Sequence, residues 1–275
     1  MGFTDIPITV IRKTYTAADK LIAFADTNAL LADCDQFQRP FIHFWTTSQP
    51  TLILGINDRH LPKLTAGLQY LVRQNYDYFL RNSGGLAVIS DPGVLNISLF
   101  VPDHQQKLTV DAAYEIIAGL MRSTFPTFNL DTYEVINSYC PGKYDLSVNG
   151  QKIAGIAQRR SKGAVALMLY LSVTGNQDER SEIVSEFYHA GAAYSQNQWS
   201  FPQVDKSVMT TVSDLGFAAL DLSTVERAFL TAVSHRGMSL DLDGSHQLLR
   251  SETYLDLQKK QLRKIQLRNQ QLPII

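Results

Sequence analysis

The sequence has only two cysteines, Cys34 and Cys140, among its 275 residues. Two cysteines are too few for a disulfide framework or for a cysteine-rich metal site. The chain also lacks an excess of either charge, since 25 Lys and Arg residues stand against 26 Asp and Glu residues. This balance argues against a strongly basic nucleic-acid-binding protein and against an acidic disordered chain.

Long apolar runs are missing as well, because no stretch approaches the roughly 18 residues that suggest a membrane span. Met1–Asp5 lacks the basic and then apolar layout of a signal peptide. The six histidines show no metal-ligand spacing, and no carboxylate pair stands out for acid–base chemistry. We therefore expect a soluble cytoplasmic protein that needs no metal, binds neither membrane nor nucleic acid, and keeps its cysteines as thiols.

The sequence does contain a mixture of helix and strand patterns. Apolar spacing and capping residues predict helices from a Thr16 cap through Leu31, over Asp111–Arg122, over Arg180–His189 before Gly191, and from a capping box at Ser223 and Glu226 to Gly237. Strands are predicted at Phe41–Thr46, Thr51–Gly55, Ala87–Ile89, Asn96–Val101, Tyr133–Ile136 and Ala164–Thr174. Asn149-Gly150, between two short β-prone runs, predicts a hairpin.

These elements predict the α+β class, with mostly antiparallel sheets flanked by helices. We expect one domain over residues 1–250, followed by a helical tail over residues 251–275. The tail carries five basic residues on a largely polar surface: Lys259, Lys260, Arg263, Lys264 and Arg268. This surface is either a solvated helix face or a docking face for an acidic partner.

Two segments contain residues suited to chemistry. In the first, Arg81-Asn82-Ser83-Gly84-Gly85, adjacent glycines let the backbone turn tightly and approach a ligand. Arg81 and Ser83 would add a charge and a hydroxyl at the same place. On spacing alone, however, such a segment is more often a simple bend between strands, and it matches no nucleotide-binding motif.

The second segment contains Cys140 and Lys152. Cys140 precedes Pro141-Gly142 in a predicted turn, which favours access to the thiol, whereas Cys34 lies in a helix where a buried residue is expected. A free thiol is mostly protonated at neutral pH, so a nearby cation such as Lys152 would help to activate it. A structural cysteine and a solvated lysine remain the alternatives from the residues alone.

Together the two segments resemble the lipoate–protein ligase and octanoyltransferase family, which has the biotin/lipoate-protein ligase-like fold. The family's Arg-x-Ser-Gly-Gly-x-Ala-Val and Gly-x-Lys-Ile-x-Gly-x-Ala-Gln segments match residues 81–88 and 150–158. Residues 50–57, and residues 201–204 with 207–209, also resemble family segments in the same order. The resemblance covers most of residues 15–215 and implies that residues 1–250 form a catalytic domain.

Within this family, Tyr139-Cys140-Pro141-Gly142 followed by Tyr144-Asp145-Leu146-Ser147 looks most like the lipoyl amidotransferase branch. Its members are octanoyl-[glycine-cleavage H protein]:protein N-octanoyltransferases. ATP-dependent ligases lack a cysteine at this place, and only Asp145 agrees with their pattern. The resemblance implies that Cys140 takes an octanoyl or lipoyl group from a lysine of the H protein, as a thioester, and passes it to a lysine on lipoyl domains of 2-oxoacid dehydrogenases.

The same resemblance implies roles for individual residues. Lys152 would place its ammonium against the acyl carbonyl, and the substrate would be bound by Arg81, Ser83, Gly84, Gly85, Asn96, Asp145 and Gly155. No histidine is near either motif in sequence, so a Cys–His pair would require His43 or His189 to approach through the fold. No metal or ATP is expected as a cofactor.

Three alternatives remain open. An octanoyl-[acyl carrier protein]-dependent octanoyltransferase and an ATP-dependent lipoate–protein ligase belong to the same family. A non-catalytic protein that binds lipoylated partners belongs to another class, and the intact Lys152 argues against it.

Overall fold

The computed structural model describes residues 6–105, 107–216 and 220–275. Met1–Asp5, where the sequence shows no signal-peptide layout, lies outside these ranges. The strands of the described residues are β1 (Ile8–Tyr15), β2 (Phe41–Thr47), β3 (Thr51–Leu54), β4 (Asp77–Leu80), β5 (Val88–Ser90), β6 (Val94–Pro102), β7 (Asp131–Thr132), β8 (Leu146–Val148), β9 (Gln151–Arg160), β10 (Ala164–Ser172) and β11 (Leu240–Asp241). The α-helices are α1 (Ile22–Phe37), α2 (Leu64–Arg73), α3 (Val110–Thr124), α4 (Gln177–Ala190), α5 (Leu222–His235), α6 (Ser245–Arg250) and α7 (Glu252–Asn269).

The strands form two sheets. The larger sheet has the order β11-β1-β2-β6-β10-β9-β8-β7, and the smaller has the order β4-β3-β5. Antiparallel pairs run from β2 through β6, β10, β9 and β8 to β7, which confirms the predicted α+β class and the mostly antiparallel pairing. Parallel pairing joins β1 to β2 and β3 to β4, because α1 and α2 provide the crossovers that parallel neighbours need.

Apolar side chains fill both faces of the larger sheet. One face packs against α3 and α5, and the other packs against α1. The smaller sheet packs against α2 and α4. A separate apolar cluster, which includes Phe24, Trp45, Ile53, Phe79 and Ile265, joins α1, the two sheets and α7. The two sheets and α1 thus meet around one region of the molecule.

Several predicted elements are confirmed. The hairpin turns at Asn149 and Gly150, whose φ angles are 52° and 83°. Helix α3 starts after Thr109, whose side chain accepts a hydrogen bond from the Ala112 N–H. Helix α4 ends before Gly191, and α7 confirms that the C-terminal region is helical.

Three local predictions are wrong. Residues Tyr133–Ile136 form no strand, because the Val135 N–H donates to the Asp145 side chain instead of to a neighbouring strand. Helix α1 begins at Ile22, since Thr16 donates to the Asp19 carboxylate and closes a turn before the helix. Helix α5 is capped by Asp221, whose carboxylate accepts from the Thr224 N–H, and not by Ser223.

Among the described residues, no helix combines the length and apolar character needed to cross a membrane. The same part of the chain contains no cluster of three or more His, Cys, Asp or Glu side chains that could hold a metal ion.

Asp26 is a buried carboxylate that joins three elements of the fold. Only 1% of it is exposed, and it pairs with Lys13 on β1 at 2.6 Å. Tyr15 and Tyr254 also donate to it at 2.6 Å each, the second from α7. Burial alone would raise its pKa, but the Lys13 ammonium and the Tyr15 hydroxyl hold the pKa of Asp26 below its ordinary value.

We expect Asp26→Ala to lower the free energy of unfolding by about 3–5 kcal/mol, because it strands the buried partners of the carboxylate. Urea unfolding followed by circular dichroism measures this loss. Asp35→Ala, on the same helix but with only a 3.7 Å contact to His104, should change stability by less than about 0.5 kcal/mol. Equal losses in the two variants would contradict the prediction.

Candidate active site

A cavity of about 350 Å³ opens where the two sheets and α1 meet. All nine residues predicted from the sequence line it: Arg81, Ser83, Gly84, Gly85, Asn96, Cys140, Asp145, Lys152 and Gly155. An apolar part of the wall includes Phe24, Trp45, Ile53, Val88 and Met168. The cavity therefore combines a polar end that contains a thiol with an apolar end suited to a hydrocarbon chain.

Cys140 lies in the turn that precedes Pro141, with a left-handed φ of 48°. Its Sγ accepts a hydrogen bond from the Leu86 N–H at 3.3 Å, and the Arg81 Nη2 lies 3.7 Å from the same atom. A backbone N–H and a guanidinium therefore both lie close to this one sulfur. Cys34, by contrast, is fully buried, and burial raises its pKa far above the ordinary range of a thiol.

Lys152 lies on β9 beneath the Cys140 turn and is only 2% exposed. Its Nζ donates to the Ser138 hydroxyl at 3.1 Å and to the carbonyl oxygens of Tyr139 and Cys140 at 3.1 and 3.0 Å. The same Nζ lies 3.0 Å from Asp145 Oδ1. A buried cation is thus held against the backbone of the residue that carries the thiol.

Asp145 shares its two oxygens between Lys152 and the surrounding loop. Oδ2 accepts from the N–H groups of Val135 and Gly142, at 3.2 and 3.1 Å. Burial raises the pKa of Asp145, while Lys152 and these two donors oppose the rise. Lys152 and Asp145 together hold the irregular segment from Val135 to Asp145 in place.

The Gly84-Gly85 loop approaches the thiol from the smaller sheet. Arg81 Nη2 donates to the carbonyl oxygens of Gly84 and Leu86 at 3.0 Å each, which fixes the curve of the loop. Gly85 has a φ of 86°, and a Cβ there would lie 3.1 Å from the Cys140 Sγ and 2.8 Å from Arg81 Nη2. Both the backbone angle and the close approach require glycine at this position.

The remaining predicted residues form other parts of the wall. Asn96 on β6 donates to the Ser90 hydroxyl at 3.2 Å and to the Trp45 carbonyl at 3.4 Å. Ser83 lies beside the glycine loop, and Gly155 on β9 pairs with Tyr170. A Cβ on Gly155 would stand 3.5 Å from Lys152 Cε, so the missing side chain leaves room beside the lysine.

A second layer supports the loop behind the thiol. Asp58 is fully buried and accepts from the Gly55 N–H at 2.7 Å and from the Tyr188 hydroxyl at 2.9 Å. The Tyr188 oxygen in turn accepts from the Ala87 N–H at 3.1 Å. A Cβ on Gly55 would collide with the Gly85 carbonyl oxygen at 2.0 Å, so the two loops are in direct backbone contact.

Sequence reasoning missed these supporting residues and the Leu86 N–H. Asp58 directly follows residues 50–57, which resemble a family segment, but nothing in the sequence connects it to Tyr188, 130 residues away. The aromatic residues of the apolar wall, Phe24 and Trp45, belong to predicted elements and carried no separate signal. Only their edge-to-face contact in the fold, with ring centroids 5.9 Å apart, marks them as a wall.

Histidines do not approach the thiol. No histidine occurs among the described residues that line the cavity. His43 is fully buried beside the Tyr15 hydroxyl, and burial lowers its pKa to about 4. His189 is exposed and contacts Tyr194. Neither histidine considered from the sequence forms a Cys–His pair.

Residues 19–234 match the family described as "Lipoyl protein ligase A/B catalytic domain". Similar curated proteins include an "Octanoyl-[GcvH]:protein N-octanoyltransferase" of Oceanobacillus iheyensis, which is 39% identical and aligns over 75% of each chain. The protein of that name from Staphylococcus aureus is 37% identical over 81% of this chain and 80% of its own. A "Lipoyl-[GcvH]:protein N-lipoyltransferase" of Listeria monocytogenes is 38% identical over 72% of each chain.

Solved structures show the same fold at lower sequence similarity. A crystal structure of lipoate-protein ligase A bound with ATP superposes with a TM-score of 0.72 at 16% identity, over 94% of this chain and 95% of that one. A putative lipoate protein ligase from T. acidophilum with bound lipoic acid gives a TM-score of 0.70 at 16% identity, over 94% and 96%. This confirms the lipoate-ligase-like fold expected from the sequence.

The buried Asp58 makes a prediction about pH. Burial raises its pKa to about 7, whereas a carboxyl in an unfolded chain titrates near 3.9. The folded protein therefore binds this proton more readily, so the stabilisation it gives is complete below about pH 4 and is lost as pH rises through about 7. Relative to Asp58→Asn, the wild type should lose on the order of 2 kcal/mol of unfolding free energy between pH 5 and 8.

Urea unfolding at several pH values between 5 and 8 measures this difference. Asp205→Asn serves as the control, since Asp205 is fully exposed and should leave the pH dependence of stability unchanged. Parallel stability curves for the wild type and Asp58→Asn would show that Asp58 does not titrate in this range.

Proposed function

The chain belongs to the lipoyl protein ligase A/B catalytic domain family, and we propose that it is an acyltransferase that moves an octanoyl or lipoyl group between proteins. The donor is an acylated lysine of the glycine-cleavage H protein, the protein named in its curated relatives. The acceptors are lysines on lipoyl domains of 2-oxoacid dehydrogenases. The observation that carries the proposal is the Cys140 Sγ, which lines an apolar cavity within reach of one N–H and one guanidinium.

The first step forms a thioester. The Cys140 sulfur attacks the amide carbonyl carbon that joins the acyl group to the donor lysine, and the carbon–nitrogen bond breaks. The lysine leaves as an amine and takes up the proton given up by the thiol. An amide is a poor acyl donor, so this step needs both a strong nucleophile and stabilisation of the oxyanion.

The second step reverses the first with a different lysine. The amine of the acceptor lysine attacks the thioester carbon, the carbon–sulfur bond breaks, and the Cys140 sulfur regains a proton from the incoming amine. One amide is broken and one is made, so the overall transfer is close to thermoneutral. We therefore propose that the reaction needs neither ATP nor a metal cofactor.

Positive charge around Cys140 supports both steps. Arg81 and the Leu86 N–H favour the negatively charged sulfur, and the buried Lys152 ammonium sits under the same turn and lines the cavity. Such fixed charges act strongly in a site shielded from water. Lys152 is proposed to stabilise the oxyanion that develops on the acyl carbonyl.

The apolar wall formed by Phe24, Trp45, Ile53 and Met168 is proposed to hold the eight-carbon chain. Ser83, Gly84, Gly85, Asn96 and Gly155 shape the rest of that pocket. The two free thiols fit a reducing compartment, so we also propose a cytoplasmic location, which fractionation of cells expressing the full chain would test.

Intact-protein mass spectrometry after mixing the enzyme with octanoylated H protein, without ATP, tests the proposal. The expected result is a mass gain of one octanoyl group that hydroxylamine removes. Cys140→Ala should abolish the adduct, and the matched variant Cys34→Ala should retain it because Cys34 lies outside the cavity. Addition of a lipoyl domain should then remove the octanoyl group from the enzyme.

Other outcomes would assign other functions. Labelling by octanoyl-[acyl carrier protein] but not by the H protein would indicate an acyl-carrier-protein-dependent octanoyltransferase. Transfer that requires ATP and free lipoate, and that persists in Cys140→Ala, would indicate a ligase. Binding of acylated proteins with no transfer at all would indicate a non-catalytic protein.

The role of Lys152 is tested with a variant that leaves no buried charge unpaired. Lys152→Met alone would strand Asp145, which is costly, so the test uses Lys152→Met with Asp145→Asn. We expect this pair to fold and to form the thioester at least about 100-fold more slowly, as expected for loss of a preorganised oxyanion partner. Rapid-quench mass spectrometry measures the rate, with the wild type as the comparison and circular dichroism as the check that the double variant is folded. An unchanged rate would limit Lys152 to a structural role.

A further inference from the structure

The C-terminal helix α7 lies beyond residues 19–234, the part of the chain that matches the family. It is nevertheless packed into the core, since Tyr254 and Ile265 are completely buried. Ile265 belongs to the same apolar cluster as Phe24, Trp45 and Ile53, the residues that line the apolar end of the cavity. Helix α7 thus stands behind one wall of the candidate site.

Asn269, the last residue of α7, pairs with the outer edge of β4. Its Oδ1 accepts from the Leu80 N–H at 2.8 Å, and its Nδ2 donates to the Leu80 carbonyl at 2.9 Å. Strand β4 is an edge strand, so these two backbone groups have no strand partner on that side. The side-chain amide supplies the two hydrogen bonds that a neighbouring strand would supply.

The amide is itself held firmly. Its Nδ2 also donates to the Ile265 carbonyl at 2.9 Å, which ties the side chain to its own helix. Because Ile265 is buried in the cluster behind the cavity, the position of the amide follows the packing of α7. Motion of the helix would therefore be transmitted to Leu80.

Leu80 is followed directly by Arg81. The Arg81 N–H donates to the Leu54 carbonyl at 3.0 Å, and the guanidinium reaches the glycine loop and lies 3.7 Å from the Cys140 Sγ. The end of β4 is thus the point from which this guanidinium extends into the site. A shift of about 1 Å in a group of this kind is enough to cost a large factor in rate.

We propose that Asn269 is a positioning residue for acyl transfer, which fixes the end of β4 and through it the Arg81 guanidinium beside Cys140. The inference rests on the proposed function for the identity of the acyl group, but not for the geometry at Cys140. It gives the C-terminal helix a part in the reaction in addition to any role of its basic surface.

The test compares Asn269→Ala with Gln266→Ala, a matched loss of an amide from an exposed position of the same helix. Two rates are measured: acylation of Cys140 by octanoylated H protein in a single turnover, and alkylation of Cys140 by iodoacetamide at pH 7. For Asn269→Ala we expect acylation about tenfold slower, with the KM for the H protein within twofold of wild type. Alkylation should slow in parallel, and Gln266→Ala should match the wild type in both rates.

A double-mutant cycle with Arg81→Ala separates positioning from a general loss of structure. If Asn269 acts through Arg81, adding Asn269→Ala to Arg81→Ala should produce no further loss in acylation rate. Independent, multiplicative losses would overturn the inference. A lower Tm for Asn269→Ala with unchanged rates would overturn it too, because the helix would then be a structural support only.

A replacement variant and a readout that does not depend on the acyl donor keep the test decisive. If Asn269→Ala does not fold, Asn269→Asp replaces it, since the carboxylate keeps the acceptor for the Leu80 N–H but loses the two hydrogen bonds that Nδ2 donates to the Leu80 and Ile265 carbonyls. An acylation rate about threefold lower would support the inference, and an unchanged rate would overturn it. If the H protein proves not to be the donor, the proposed function fails while the alkylation comparison still decides the role of Asn269.

Discussion

The buried ion pair between Lys152 and Asp145 is the interaction on which the site depends. The two charges are 3.0 Å apart, and together they hold five positions in the segment from Val135 to Asp145 through hydrogen bonds: Val135, Ser138, Tyr139, Cys140 and Gly142. That segment has little regular structure, so few of its backbone groups are satisfied by sheet or helix partners. Charged groups take the place of a strand ladder there. A buried ion pair often adds little net stability. Here the pair fixes the conformation of Cys140, the residue that carries the thiol.

The two sheets contribute different residues to the candidate site. The larger sheet supplies Lys152 and Asn96, whereas the smaller sheet ends in the loop that carries Arg81 and Gly85. Direct backbone contact between Gly55 and Gly85 allows the Gly84-Gly85 loop to come within hydrogen-bonding distance of Cys140. Any larger side chain at either glycine would separate the donors from the sulfur.

Local patterns in the sequence were sufficient for much of this structure. Asn149-Gly150 predicted the hairpin that places Lys152, and the family resemblance predicted nine residues that line one cavity. Two of the failures share a physical cause, because they involve contacts that form only in the folded chain. Tyr133–Ile136 has a strand-like composition, but the Val135 N–H donates to the Asp145 side chain. Asp58 and Tyr188 meet only in the folded chain. Contacts between side chains and distant backbone groups leave no periodic pattern in a sequence.

No histidine occurs among the described residues that line the cavity, so the proton that the Cys140 thiol loses has to pass to another group. In the proposed exchange of one amide for another, the donor lysine leaves as an amine and needs one proton. The acceptor lysine that attacks must give one proton up. The thiol can supply the first proton and receive the second, so a residue that acts as a permanent base is not required by the proton balance. What the site must provide is stabilisation of the sulfur while it lacks a proton, and Arg81 with the Leu86 N–H is directed at that atom. A neutral histidine would add a base but no charge, whereas fixed positive groups stabilise both the anionic sulfur and the oxyanion that follows it. The cationic surroundings of Cys140 therefore suit an acyl transfer in which both the donor and the acceptor are lysines.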